Sequence, residues 1–242
     1  MISGLYVGAS SLVSQGNCQD VIARNLANVN TVGYKKSVPV FQAYLFDMQN
    51  GDVKSKQGSG NKLSKDATDF SSGSLEYTGN DLDMAIKGDG FFSVQTEDGV
   101  RYTRKGQFAL SRDMKIVTHE GWPLMGNGGE VQIPKGAQSI TVKANGGVSV
   151  DGKEIDKVKV MDIPNLTDLE SVGGCLYKLS DRSPEPDIST KAEIAHHHIE
   201  KANVIAVDEM VNMITNMRSF QAGSKITESI NKSLEKIIGL AT

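Results

Sequence analysis

At both ends of this chain apolar residues recur in steps of three and four, and a helix carrying one such stripe cannot cover itself. Near the start the positions are Ile2, Leu5, Ala9, Leu12, then Ala23 and Leu26, with Gly16 and Gln19 filling the missing steps. That is the spacing of a coiled-coil seam. The helix is expected to end near Asn28-Val29-Asn30, with Thr31-Val32-Gly33-Tyr34 as the stop, because Asn and Gly accept left-handed backbone. Near the other end Val207, Met210, Ile214 and Met217 follow the same rule. It resumes at Phe220, Gly223, Thr227, Ile230, Leu234, Ile237 and Ala241. One step of four is missing between Met217 and Phe220, which predicts a stammer. This helix is expected to run from about Asn203 to Gly239, with the first helix as its partner.

Between the ends the period falls to two. Phe92 and Val94, Phe108 and Leu110, Ile140 and Val142, Val148 and Val150, and Val158 and Val160 alternate with polar or small neighbours. Half-buried strands read this way. Glu97-Asp98-Gly99, Asn127-Gly128-Gly129, Asn145-Gly146-Gly147 and Asp151-Gly152 supply close turns. No helix-length segment separates the strands, so the sheet is expected to be antiparallel. The predicted class is α+β: long N- and C-terminal helices packed as a coiled coil, a central antiparallel β-rich domain and an extended linker. The boundaries are 1–34 and 203–242 for the helical part, 35–72 for the linker, 73–190 for the β-rich domain and 191–202 for a return linker. The linker assignment rests on the Gly-, Ser- and Lys-rich composition of residues 49–74.

The chain has 242 residues and a formal net charge of −3, which gives no basic excess to attract nucleic acid. No apolar run approaches the ~20 residues that span a bilayer, so no direct membrane insertion is expected. The start, Met1-Ile2-Ser3-Gly4-Leu5-Tyr6, lacks a basic segment followed by an apolar core, so no cleaved Sec-type signal is expected. Cys18 and Cys175 sit in no metal or redox spacing and read as unpaired thiols. His196-His197-His198 is the one conspicuous cluster. A metal site needs further ligands placed in space, and consecutive residues point different ways, so the run reads as solvated linker. Asp81 and Asp83 are paired acids without an implied cleft. Gly88-Asp89-Gly90 leads into a strand and is too short to cradle phosphate. No nucleophile with a base beside it emerges, so no catalytic, cofactor or metal residues are assigned.

Three runs, taken in order, are specific. Asn25-Leu26-Ala27-Asn28-Val29-Asn30-Thr31-Val32-Gly33-Tyr34-Lys35 resembles the N-terminal signature of the flagellar basal-body rod and hook family. Asn80-Asp81-Leu82-Asp83-Met84-Ala85-Ile86-Lys87-Gly88-Asp89-Gly90-Phe91-Phe92, followed by Tyr102-Thr103-Arg104-Lys105-Gly106-Gln107-Phe108, resembles the opening of that family's β domain. The segment from Asn203-Val204 through Val207-Asp208-Glu209-Met210-Val211-Asn212-Met213-Ile214 resembles its C-terminal signature. Length favours rod over hook members. The run Asn216-Met217-Arg218-Ser219-Phe220 leans to proximal-rod over distal-rod versions.

The resemblance implies a non-enzymatic structural subunit of the periplasmic rod. It would be exported uncut by the flagellar type III apparatus and polymerise with itself and with other rod and hook subunits to transmit torque. Val13, Val21, Ile22, Met213 and Ile226 are expected to meet neighbouring subunits, and the ends of the free monomer to be largely disordered before assembly. Residues Asn25, Leu26, Ala27, Asn28, Thr31, Gly33, Tyr34 and Lys35 are expected to form a structural turn. Two other readings compete: a secreted adhesin-like β module dimerised by its helices, and a metal-dependent enzyme using the histidine run.

Overall fold

A computed structural model describes residues 2–47, 56–137, 139–181, 183–189 and 192–239. It is α+β, with a helix at each end and a β-rich centre. The chain forms two compact units, one of Met1–Ala27, Ser37–Asp69 and Val204–Thr242, the other of Asn28–Lys36 and Phe70–Asn203.

In the first unit, helix α1 (Ile2–Ala27) lies against helix α2 (Ala206–Gly239) and against a hairpin of β1 (Ser37–Asp47) and β2 (Lys56–Thr68). Asp208 and Glu209 in the first turn of α2 and Lys236 in its last complement the helix dipole. The two helices run antiparallel. A Cβ on Gly8 would lie 3.0 Å from Thr227 Oγ1 and one on Gly223 3.3 Å from Leu12, Asn216 bonds Gln15 and Gln19, and Asn25 meets Glu209. Each step forward along α1 is thus a step back along α2.

The helix pair differs from expectation in its register. The less exposed positions of α2 are Ala206, Glu209, Met213, Asn216, Gly223, Thr227 and Ile230, and Phe220 completes their three-four spacing. One line therefore runs through without a stammer. Val207, Met210, Ile214 and Met217 sit one residue further on, about 100° around the helix. The line facing α1 is largely small or polar in its first half, so apolar spacing selected the neighbouring stripe. On α1, Leu12 and Leu26 are half-buried while Ala9 and Ala23 are exposed. Val21 and Ile22 are buried inside the unit and Met213 is half-buried, whereas Val13 and Ile226 are exposed. The side chains of Ile2, Leu5, Leu234 and Ile237 lie outside the described residues, as does Ala241.

Residues 35–72 do not run as a lone extended segment. β1 and β2 pair antiparallel from Ser37↔Thr68 to Asp47↔Lys56, with register shifts after Val40 and Tyr44. β2, Lys-Gln-Gly-Ser-Gly-Asn-Lys-Leu-Ser-Lys-Asp-Ala-Thr, has almost no apolar side chains. Its pairing rests on main-chain bonds that composition does not reveal.

The second unit is antiparallel throughout its described strands. Its shorter opening strands are β3 (Leu75–Tyr77), β4 (Met84–Lys87), β5 (Phe91–Thr96) and β6 (Gly99–Thr103). The largest sheet has the order Leu169–Gly173, Leu176–Leu179, β6, β5, Val160–Asp162, Asp187–Ile188. Alternation along β5 feeds two cores: Phe92 and Val94 join Met84, Phe108, Ile116 and Leu124, while Phe91 joins Tyr102, Met161 and Tyr177. The β5–β6 turn at Glu97-Asp98 and the left-handed pair Asp151-Gly152 fall where the sequence placed turns. Within residues 191–202, Glu193–His196 pairs with β4 and His198–Glu200 with β3, so that return segment is strand.

Candidate functional site

Two features stand out, one in each unit. In the first, α2 presents Val207, Met210, Val211, Ile214 and Met217 at 67%, 50%, 57%, 54% and 50% exposure. The spacing places them along one side of the helix, and Ile205 just before it is exposed too. A contiguous apolar face of this kind marks a surface meant to be covered. Covering half of each side chain would contribute roughly 1 kcal/mol per residue at about 1.5–3 kcal/mol for full burial. No single residue dominates, so the face acts as a stripe. Phe220, on the inward line, is 41% exposed.

The inward line is polar where the outward one is apolar. Asn216 donates its amide to Gln15 O at 2.9 Å and to Gln19 Oε1 at 2.8 Å. Asn25, fully buried, donates to Ser37 O at 2.8 Å and accepts from Ser37 N at 2.9 Å, and its amide lies 3.4 Å from Glu209 Oε2. One asparagine thus holds both main-chain groups at the start of β1. Burial, aided by Glu209, pushes the Cys18 thiol up. Cys18 and Cys175 are free.

The second feature is a buried ion cluster in the β-rich unit. It joins residues 28–36, by which the chain enters that unit, to residues 199–203, by which it leaves. Lys35 Nζ lies 2.7 Å from Glu200 Oε1, and Arg104 Nη1 lies 3.4 Å from Glu200 Oε2; all three side chains are at most 3% exposed. Lys35 also donates to Ser71 O at 2.7 Å, and Gly73 N donates to Glu200 Oε1 at 2.8 Å. Arg104 donates to Gly88 O at 2.9 Å and lies 5.1 Å over the Phe91 ring. Burial lowers the Arg104 pKa, against the pull of Glu200 and Asp89. Main-chain bonds complete the clasp: Gly33 N donates to Glu200 O at 2.7 Å and Lys36 N to Asn203 Oδ1 at 2.7 Å.

The turn that delivers Lys35 needs its glycine. Gly33 has φ +68°, and a Cβ there would lie 2.5 Å from Lys105 N. Thr31 N donates to Asn28 O at 3.0 Å and Tyr34 N to Thr31 O at 3.3 Å. The structure brings the sequence-marked run 25–35 to two places. Asn25 is in the first unit, and Asn28 through Lys35 are in the second. Glu200 and Arg104 carry no sequence signal for their roles, because a buried charge and a solvated one look alike until the fold pairs them.

Comparison with known proteins fits this layout. Three family models match in chain order: "Flagella basal body rod protein" over residues 5–35, "Flagellar hook protein FlgE/F/G D1 domain" over 85–150, and "Flagellar basal body rod FlgEFG protein C-terminal" over 195–240. The flagellar basal-body rod protein FlgG of Bacillus subtilis is 34% identical, with 99% of each chain covered. The chain belongs to the flagellar basal-body rod family. FlgF of Rhizobium meliloti is 32% identical over 98% of this chain and 97% of that one. FlgG of Buchnera aphidicola from Schizaphis graminum is 30% identical over 98% and 99%. The lean towards proximal-rod members gains nothing from these figures, since the distal-rod FlgG matches at least as well as FlgF. As a member of the rod family the chain is a structural subunit of the flagellar basal body and not an enzyme. No described helix is long and apolar enough to cross a membrane.

Proposed function

We propose that this rod subunit polymerises through the outward stripe of α2, with copies of itself and with other rod and hook subunits as neighbours. The observation that carries the reading is the exposed row Val207, Met210, Val211, Ile214 and Met217 beside an inward line that is largely small or polar in its first half. The α1–α2 pair joins through amide bonds and close approach at Gly8 and Gly223, and the unbroken three-four spacing of α2 suits coiled-coil packing once neighbours add their side chains. A repeated head-to-tail contact of this kind builds an open helical shaft.

The helical ends, α1 and α2, supply the packed wall of that shaft, which crosses the periplasm and transmits torque, while residues 28–36 belong to the β-rich unit. The β-rich unit stands as a rigid body whose entry and exit are clamped by Lys35, Arg104 and Glu200. Export through the flagellar type III apparatus without cleavage fits ends that complete their packing only at the growing tip. The α2 positions Val207, Met210, Ile214 and Met217 thus serve between subunits.

The test is complementation of a strain lacking this chain. Replacing Val207, Met210 and Ile214 together with Ser is expected to abolish motility and stop rod growth, while the purified variant keeps its fold by circular dichroism. Full motility in that variant would refute the reading.

A further inference from the structure

We propose that Asp81, His196 and His197 form a surface site for a first-row divalent transition ion such as Zn²⁺. One ring nitrogen from each histidine and a carboxylate oxygen of Asp81 lie within 4.8 Å of one another. Asp81 is 115 residues away from His196 in sequence, which is why the histidine run alone gave no ligand set.

Three details favour a metal over an incidental cluster. His197 Nδ1 is shielded from solvent and has no hydrogen-bond partner among the described residues; Asp81 Oδ1 lies 3.8 Å from it. That gap is too long for a hydrogen bond. It is close to the roughly 3.3 Å edge of a tetrahedron whose metal–ligand distances are about 2.0–2.1 Å. His196 Nε2 lies 2.8 Å from Asp81 O. A carbonyl only accepts, so Nε2 is the donor in that contact, which leaves Nδ1 as the ring nitrogen available to an ion. Anchoring a histidine through a backbone carbonyl is the usual support of a metal-bound imidazole.

The scaffold is held from both sides. Asp83 is buried and spent on its own turn, accepting from Thr78 Oγ1 at 2.7 Å and Asn80 Nδ2 at 3.2 Å. Asp81 at the tip is left over. Thr78 N donates to His197 O at 2.8 Å, tying the turn to the histidine corner. His197 itself is left-handed, φ +59°, at the corner between the strands Glu193–His196 and His198–Glu200. The rings of His196 and His197 stack with centroids 3.6 Å apart and 28° between planes. Their lone pairs reach one ion only after the rings fan apart, so the site is expected to bind more weakly than a closed structural zinc site.

Calorimetric titration of the full chain with ZnSO₄ tests the site, in a Cys18→Ser, Cys175→Ser background that removes thiol competition. One ion per chain is expected, with binding weakened at least about tenfold in Asp81→Asn and in His197→Ala, the scale on which metal-site partners act. Thermal unfolding is expected to rise with Zn²⁺ in the parent and not in His197→Ala. Absence of stoichiometric binding in the parent, or unchanged binding in His197→Ala, would overturn the proposal.

Discussion

The two units solve the problem of apolar surface in opposite ways. The β-rich unit turns its large side chains inward: Phe91, Phe92, Met84, Ile116 and Leu124 are fully buried. The helical unit turns a row of Val, Ile and Met outward and spends part of its internal contact on Asn, Glu, Gly and Thr. A unit that is complete alone resists truncation by losing stability. A unit that is incomplete alone loses assembly first. That contrast makes the chain a building block, with a finished body and an unfinished seam.

Perturbations of the two units should therefore separate. The largest effect is expected for Phe92→Ala, which opens a cavity in the β core and should cost about 4 kcal/mol in urea unfolding. Next comes Glu200→Gln, which leaves Lys35 and Arg104 buried without their carboxylate; about 3 kcal/mol is expected by the same measurement. A change below about 1 kcal/mol there would show the clasp to be unimportant to the body. Asn25→Ala removes both bonds to Ser37 and should lower stability by about 2 kcal/mol, with faster amide exchange localised to β1. The smallest stability effect belongs to the stripe: Ile214→Ser should change unfolding by under about 0.5 kcal/mol. Destabilisation of several kcal/mol by that last change would erase the contrast, because it would make the stripe part of the monomer's own core.

Much of this was readable beforehand, in parts that depend on local spacing. Helix α1 ends at Ala27, close to the expected Asn28, and α2 begins at Ala206, close to the expected Asn203. Phe92, Val94, Val142, Val148 and Val150 alternate in buried strands where the period of two placed them. Three things were not readable. The register of α2 escaped because spacing finds the most apolar line, and here the most apolar line faces away from α1. The hairpin escaped because β2 pairs by its backbone and shows no side-chain alternation. The clasp escaped because Lys35, Arg104 and Glu200 are joined only by the fold, across 165 residues for the closest pair. The motif from Asn25 to Lys35 did signal structure, and the structure supplies two distinct jobs within it: Asn25 holds β1, and Gly33 with Lys35 builds the clasp.

Cysteine labelling at position 214 addresses the central claim most directly. In a Cys18→Ser, Cys175→Ser background, Ile214→Cys would be treated with a maleimide in dilute monomer and again in purified basal bodies. Rapid labelling of the monomer with strong protection in the basal body is the result this account predicts. Equal reactivity in both states would contradict it, since the α2 stripe would then remain bare in the finished rod.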